Sequence, residues 1–181
     1  MDDIVQQAMA KWPHVPDCYG WLGLDGRGQW WLRDDAAQAA GSFASGVPGS
    51  KGSVLQHEKL LGFIARNYAV DAEGRWYFQN GPQRVYVELQ HTPWVWRLDA
   101  SGQVSSHTGV VTPTQASYLD EAGLLYLHTD LGFGLVHTAD MERAAMQVEQ
   151  GLWTPQEVRA DTLPARFAYL RSPQANPSIR T

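Results

Sequence analysis

The chain has 181 residues, 44% of them hydrophobic and only 18% charged, and its formal net charge is −5. This composition suits one globular domain and argues against a nucleic-acid partner, because the basic residues are scattered singly and form no stripe. A membrane-spanning segment is also excluded, since no run of about 18 apolar residues is present.

A cytoplasmic location is expected. The acidic start of the chain, from Met1 to Ile4, lacks the basic region and the apolar stretch of a secretory signal. The single cysteine, Cys18, excludes an intramolecular disulfide framework, which favours a reducing compartment. No neighbouring base would activate Cys18 as a nucleophile, so we interpret it as a small packed side chain.

Apolar side chains that recur at helical spacing predict three helices, near residues 3–12, 54–66 and 139–150. The second helix would carry His57 in its apolar stripe, which indicates a core histidine. Thr154-Pro155-Gln156-Glu157 has the form of a capping box and predicts one more short helix. The buried stripe predicted for the third helix consists of Met141, Ala144, Ala145 and Val148.

One turn pattern occurs four times along the chain. An aspartate ends an apolar run, a glycine follows three residues later, and a second apolar run begins. The aspartate caps its own turn through its carboxylate, and the glycine supplies the positive φ of a bulged hairpin. The uneven spacing of the turns argues against the fixed period of a propeller. The four pairs are Asp25/Gly28, Asp71/Gly74, Asp99/Gly102 and Asp120/Gly123.

The predicted fold class is α+β, an antiparallel β-meander sheet of roughly seven to nine strands with flanking helices. Residues 1–171 are expected to form a single α+β domain, and residues 172–181 a disordered C-terminal tail. Strand order is not fixed by the sequence, because hairpins specify only close neighbours and leave the long connection at residues 34–67 free.

Residues 41–53 are rich in glycine and serine and predict a mobile loop. A glycine-rich loop before a helix can bind phosphate. The Walker sequence, however, requires Ser or Thr directly after its lysine, and here Gly52 follows Lys51. We therefore interpret this loop as a connector or lid and expect no nucleotide.

Aromatic side chains dominate the predicted strands, and the chain contains eight tryptophans. Large rings beside a few polar groups are typical of small-molecule sites. They also fill the space between a sheet and helices that present small side chains, and this core interpretation is favoured. The ligand-binding alternative stays open, with Trp76, Tyr86, Glu88, Trp94 and Trp96 as its residues.

The adjacent residues Trp30 and Trp31 predict an interaction surface. Neighbouring residues in a strand point to opposite faces of the sheet. One of the two rings should therefore lie outside the core unless both faces of the sheet are covered. An exposed large ring is a lead for a partner contact.

Four of the six histidines precede threonine. If Gly132-Phe133 is a two-residue turn, His128 and His137 face each other across a hairpin, with Asp140 nearby in sequence. Two imidazoles and a carboxylate could hold a divalent metal. No known ligand spacing supports such a site, and cross-strand histidine pairs more often pack, so no cofactor is assigned.

The stretch from His14 to Arg33, together with residues 66–68 and 76–87, resembles a family of uncharacterised proteobacterial proteins of similar length. The likeness covers most of the chain. It contains no catalytic signature, so the resemblance implies a bacterial cytoplasmic protein and no particular activity.

Three functions remain open at this point. The leading hypothesis is a non-enzymatic binding or interaction protein that uses the aromatic sheet face and the 41–53 loop to hold a small molecule or a protein partner. The second is an enzyme of unknown reaction with His128, His137 and Asp140 as a metal or acid–base cluster. The third is a homo-oligomer in which Trp30 or Trp31 forms the subunit contact.

Overall fold

The computed structural model describes residues 1–173, which build two mixed β-sheets of six strands each. The chain divides into two units, each containing one sheet. Unit 1 takes residues 1–25, residues 29–90 and the chain from Tyr169 onward, and unit 2 takes residues 26–28 and 91–168. The organisation of residues 1–171 as a single domain stays a prediction. Of the predicted tail, residues 174–181 lie outside the described residues.

Unit 1 combines three helices with strands β1 to β6. The sheet order is β3-β2-β1-β6-β5-β4, in which β1 and β6 are parallel and the other neighbours antiparallel. In chain order the elements are α1 (Asp3–Lys11), β1 (Cys18–Leu24), β2 (Trp30–Leu32), α2 (Asp35–Ala40), β3 (Ser53–Val54), α3 (Glu58–Arg66), β4 (Tyr68–Val70), β5 (Trp76–Asn80) and β6 (Gln83–Leu89).

Unit 2 has the strand order β12-β9-β10-β11-β7-β8, with parallel pairs β11/β7 and β12/β9. Short 3₁₀ turns at Thr138–Asp140 and Ala160–Thr162 precede its two helices. In chain order the elements are β7 (Trp94–Leu98), β8 (Val104–Ser106), β9 (Thr114–Asp120), β10 (Leu125–Thr129), β11 (Gly132–Val136), α4 (Met141–Glu149), β12 (Gln156–Val158) and α5 (Leu163–Arg166).

The α+β class is confirmed, and the purely antiparallel meander is wrong. Each sheet joins antiparallel runs through parallel pairs, and the described part of the chain has twelve strands. The parallel pair β1/β6 brings together strands separated by residues 25–82. Turn signals carry no information about such a long return. Several of the additional strands have only two or three residues, too few to show a period of two.

The second predicted helix begins later than expected. Residues Ser53–Val54 pair with β2, and α3 starts at Glu58. His57 is exposed and caps α3, because its Nδ1 accepts the Leu60 N–H at 3.3 Å. The prediction of His57 as a core histidine is therefore wrong. A histidine at the N-cap, directly before the first helical residue, can satisfy one of the unpaired N–H groups of the first turn.

Two further helix predictions need correction. The segment with the capping-box sequence forms strand β12, because its backbone pairs with β9 and this tertiary contact overrides the local signal. In α4, Ala144 is buried but Ala145 and Val148 are exposed, so the predicted stripe is too wide. Helix α2 was not predicted, since six residues are too few to show a stripe. No helix in the described part of the chain is long and apolar enough to cross a membrane.

The four aspartate turns are confirmed as one hairpin type. In each, the aspartate Oδ1 accepts the N–H of the residue four positions later, at 2.8–3.0 Å. The glycine between them adopts φ of +75 to +82°, which side chains with a Cβ rarely tolerate. Ser106 forms the same turn with Gly109, its Oγ accepting the Val110 N–H at 3.1 Å. Serine thus replaces aspartate in a fifth copy that the aspartate pattern could not reveal.

Two of these aspartates provide a matched pair for mutation. We expect Asp120→Ala to destabilise the protein by about 2 kcal/mol, because the buried Asp120 carboxylate also accepts the Tyr126 hydroxyl at 2.8 Å. Asp99→Ala removes an exposed turn acceptor and should have a much smaller effect. Urea unfolding of the two variants measures the difference in stability. Equal losses of stability would show that the turn hydrogen bonds, and not burial or the Tyr126 contact, account for the effect of Asp120→Ala.

Candidate functional site

Three residues form a row across one face of the unit 1 sheet. Gly23 on β1 pairs with Trp31 on β2 and with Glu88 on β6. Because paired residues present their side chains to the same face, Trp31 and Glu88 flank Gly23. Glycine has no side chain, so the row contains a notch between an indole ring and a carboxyl group.

The ring of Phe43 fills this notch. A Cβ placed on Gly23 would lie 2.5 Å from a carbon of the Phe43 ring, so the ring rests directly on the Gly23 backbone. Phe43 belongs to the glycine-rich segment 41–53 and is only 1% exposed. Its packing holds that segment against the sheet face that carries Glu88.

Arg33 also holds this segment in place. It lies just after β2, is 3% exposed, and donates hydrogen bonds to backbone carbonyls. Nε donates to Ser50 O at 2.8 Å and Nη2 to Gly41 O at 2.6 Å, while further bonds reach Gly20 O and Ala37 O. The segment expected to be a mobile loop is thus tied at both ends by one buried guanidinium.

A cavity of about 290 Å³ lies beside Phe43. Its walls come from segment 41–53, from the end of β6 and from the chain after Tyr169, which joins β6 through the Leu89 N–H and Arg171 O at 2.8 Å. The lining residues are Ser42, Phe43, Ala44, Glu88, Leu89, Arg171 and Ser172. Apolar and polar groups therefore share one small enclosure.

Glu88 is the buried acid of this cavity, with 5% of its surface exposed. Burial raises the pKa of Glu88, against the opposing effects of a hydrogen bond from Ser172 and the positive charge of Arg33. Burial disfavours the charged form of a carboxyl group. Glu88 therefore takes up a proton more readily than an exposed glutamate does.

Three basic side chains lie at this corner of unit 1, and one of them lines the cavity. Arg171 lines the cavity and donates to Gln90 O. Lys51 Nζ lies 2.9 Å from Gln90 Oε1 and 5.6 Å from the centre of the Phe43 ring. The positive charge of Arg33 acts on the Glu88 carboxyl group, but neither Arg33 nor Lys51 lines the cavity.

The predicted ligand residues of unit 1 lie on two faces of its sheet. Tyr86 and Glu88 share a face, but Trp76 lies on the opposite one, because it is Tyr77 that pairs with Tyr86. Trp94 and Trp96 belong to β7 of unit 2, where Trp96 is fully buried. A ligand site formed by all of these residues stays a prediction, and of them only Glu88 lines the cavity.

Tyr86 serves packing on the sheet face. Its ring stacks on Tyr19 at 4.7 Å between centroids, with the Arg75 guanidinium 4.9 Å away. Its hydroxyl donates to Asp71 Oδ2 at 3.0 Å. Burial, together with the Asp71 carboxylate, raises the pKa of Tyr86 to about 12, so the hydroxyl stays protonated.

Trp30 and Trp31 lie on opposite faces, as expected from their adjacency. Trp30 is 4% exposed and packs edge-on against Tyr68 at 5.2 Å. Trp31 is half-buried, its Nε1 donating to Asp25 Oδ2 at 3.0 Å and its ring lying 5.4 Å from Lys51 Nζ. Trp31 is thus the ring on the cavity face, and its role as an interaction surface stays a prediction.

The expected histidine pair is wrong. The hairpin turns at Asp130 and Leu131, so His128 pairs with Phe133 and not with His137. His137 Nδ1 instead accepts the Ala139 N–H at 3.0 Å. Asp140 is fully buried between two arginines. Among residues 1–173, no group of three His, Cys, Asp or Glu side chains could hold a metal ion.

Sequence reasoning missed most of this cavity. Phe43 stands alone in a polar segment, and Arg33 resembles any charge after a strand. The notch at Gly23 could not be predicted, because it depends on which residues pair with Gly23, and one of the pairing strands is the parallel strand β6. A single large apolar residue in a glycine-rich segment, such as Phe43, is the one signal that could have helped. Such a residue is a candidate for the side chain that anchors the segment to the core.

The comparisons with known proteins place the chain in a family. The family model DUF2944, described as "Protein of unknown function (DUF2946)", matches residues 1–174. No curated protein matches the chain. The crystal structure of a DUF1285 family protein from Silicibacter pomeroyi DSS-3 is 14% identical, with 72% of this chain and 71% of that chain covered and a TM-score of 0.46. The chain belongs to the DUF2944 family of proteins of unknown function.

Proposed function

We propose that the protein is a non-enzymatic binding protein whose unit 1 cavity takes a small organic anion with a short apolar part. The observation that carries this proposal is the buried acid Glu88 in a cavity that Phe43 and Arg171 also line. Small-molecule sites commonly combine an apolar wall with a few convergent polar groups.

The size and walls of the cavity support a small ligand. At about 290 Å³ it is near the lower end of known ligand pockets. Phe43 and Ala44 offer an apolar surface to one side of a ligand. The Phe43 ring is fixed by Gly23 and the segment by Arg33, so binding would require little ordering of the protein.

The charges support an anion over a cation. Arg171 is the basic residue among those that line the cavity, and arginine matches carboxylate and related oxyanions with two parallel N–H groups. Protonated Glu88 would donate a hydrogen bond to the same ligand group. An ammonium ligand would instead meet the positive charge of Arg171.

The absence of a second acid–base group supports binding without chemistry. A general acid–base enzyme needs titratable groups that converge on one reacting atom. Among the described residues that line the cavity, Glu88 and Arg171 are the ionisable ones. Arginine stays protonated in proteins, so Glu88 would have no partner for proton transfer.

The pH dependence of anion binding tests the proposal. We expect benzenesulfonate, whose charge is constant over the range, to bind more tightly as the pH falls through the pKa of Glu88. Burial raises that pKa, and an anion favours the protonated form further. Titration calorimetry at several pH values measures this. Tighter binding of benzylamine, strengthening as the pH rises, would overturn the assignment of an anion.

Matched variants separate charge from shape. Glu88→Gln should bind benzenesulfonate with no pH dependence, while Glu157→Gln, the same change at an exposed site in unit 2, should leave it intact. Gly23→Ala should push the Phe43 ring from its notch and weaken binding. Gly62→Ala in α3, where a Cβ meets only an ordinary contact, should bind normally.

A further inference from the structure

Two adjoining cavities in unit 2 form one trench. Their volumes are about 550 and 270 Å³, and Thr114 and Trp153 line both. The trench therefore runs past Trp153 along the first half of β9. None of its residues belongs to the unit 1 cavity.

The lining of this trench is neutral and hydrogen-bonding. None of the described residues that line it is ionisable, although charged side chains make up 18% of the chain. Hydroxyl and amide side chains can both donate and accept hydrogen bonds. The side chains of this kind are those of Ser101, Gln103, Thr112, Thr114, Gln115, Ser117, Thr154 and Gln156.

One of these groups lacks a partner. The Thr112 Oγ1 is buried, and no hydrogen-bond partner for it exists among the described residues. Thr112 is 4% exposed and lines the larger cavity. A buried hydroxyl without a partner is destabilising, so a ligand that shifts the lining enough to bond to it would gain affinity.

The edge of β9 adds backbone groups to the same trench. Strand β12 pairs with β9 only from Tyr118 to Asp120. Over Thr114–Ser117, no described strand covers that edge. Outward-facing backbone N–H and C=O groups there are available to a ligand.

Trp153 is held firmly in place. It follows the end of α4, where the Leu152 and Trp153 N–H groups both donate to Gln147 O, at 2.9 and 3.1 Å. Gly151 adopts φ of +72°, as expected for a helix that ends in the left-handed conformation. Trp153 is 9% exposed, so its indole is packed in place and gives the trench an apolar wall.

We propose that this trench binds a neutral saccharide. A sugar presents many hydroxyl groups that both donate and accept, and an apolar C–H face suited to an indole wall. Nucleotides and other phosphorylated ligands would find no cation in the described lining. A peptide would use the β9 edge, but it has no need for so many side-chain hydroxyl and amide groups.

Chemical-shift mapping with ¹⁵N-labelled protein tests this inference. Glucose, maltotriose, cellotriose and triacetylchitotriose, all uncharged, are titrated into the full chain. We expect at least one trisaccharide to shift the Trp153 indole and the β9 amide signals in a saturable way, more strongly than glucose does. Absence of saturable shifts with the whole panel would overturn the inference. Shifts caused only by an uncharged strand-forming peptide would also overturn it, in favour of peptide binding.

A variant that changes only the charge of one exposed side chain tests the site without disturbing the fold. Gln103→Glu changes an exposed trench residue to a carboxylate of the same shape and should weaken binding about tenfold, because the charge loses water without gaining a counterion. Gln7→Glu on α1 in unit 1 carries the same change away from the trench and should bind as the wild type does. Equal affinity of the two variants would place the sugar elsewhere and overturn the inference.

Discussion

Replacing Arg33 with alanine is expected to destabilise the protein by about 3 kcal/mol or more. Arg33 is 3% exposed, and its guanidinium serves backbone carbonyls from β1, α2 and segment 41–53. Without it, buried carbonyl groups lose their donors and a space opens beneath the segment. Urea unfolding measures the loss, and amide exchange should show it first in residues 41–53.

The burial of this charge has a physical explanation. No ion pair links Arg33 to an acid in the described residues, because four carbonyl oxygens take the place of a carboxylate. Burial lowers the pKa of Arg33, and the negative charge of Glu88 opposes that shift. Arginine stays charged under such burial, so the guanidinium keeps all its hydrogen-bond donors for the four carbonyl groups.

Two variants separate the effect of the Arg33 hydrogen bonds from the effect of its positive charge. Arg33→Lys keeps the charge but cannot donate in several directions at once, so it should recover only part of the stability. Arg159→Ala removes an exposed arginine whose partner is the equally exposed Asp161, and it should change stability little. Full recovery by lysine would show that the charge alone holds the segment.

Local signals predicted the hairpins because the relevant physics is local. Asp71 and Gly74 specify a turn through their own conformations and hydrogen bonds, whatever the rest of the chain does. The parallel pair β1/β6 depends on burial of both strands against residues that are distant in sequence, so no short segment predicts it. The same reason explains β12, where pairing with β9 overrides a helix-start sequence.

The unit 1 cavity shows a similar limit. Glu88 could be identified as a candidate because it is a polar group among large aromatic rings, a combination typical of small-molecule sites. Phe43 and Gly23 could not be linked to it, since the link is a register across three strands. Sequence reasoning thus found the titratable group and missed the wall beside it.

Replacing Asp140 with asparagine is expected to destabilise the protein by about 2–3 kcal/mol at neutral pH. The carboxylate is fully buried and accepts hydrogen bonds from Arg97 Nε at 2.5 Å, Arg143 Nη1 at 2.7 Å and the Leu98 N–H at 3.1 Å. Because both arginines are about half exposed, solvent weakens their share. The loss measured by urea unfolding should therefore stay below that of a fully buried ion pair.

The pH dependence of that difference is the sharper test. Burial acts to raise the pKa of Asp140, but the hydrogen bonds from Arg97 and Leu98 and the charges of Arg97 and Arg143 prevail and lower it. The ionised form is therefore favoured by folding. Its stabilisation is complete above the unfolded pKa of about 4 and is lost as the pH falls through the folded value. The stability gap between wild type and Asp140→Asn should accordingly be constant at neutral pH and shrink in acid.

An exposed pair in the same unit supplies the comparison for Asp140. Asp161 also pairs with an arginine, Arg159 at 2.8 Å, but both side chains lie in solvent. Asp161→Asn removes the same charge and should change stability little at any pH, because water screens an exposed pair. A gap for Asp140→Asn that did not shrink in acid would mean that shape and hydrogen-bond geometry, and not the charge, make Asp140 hold α4 to β7.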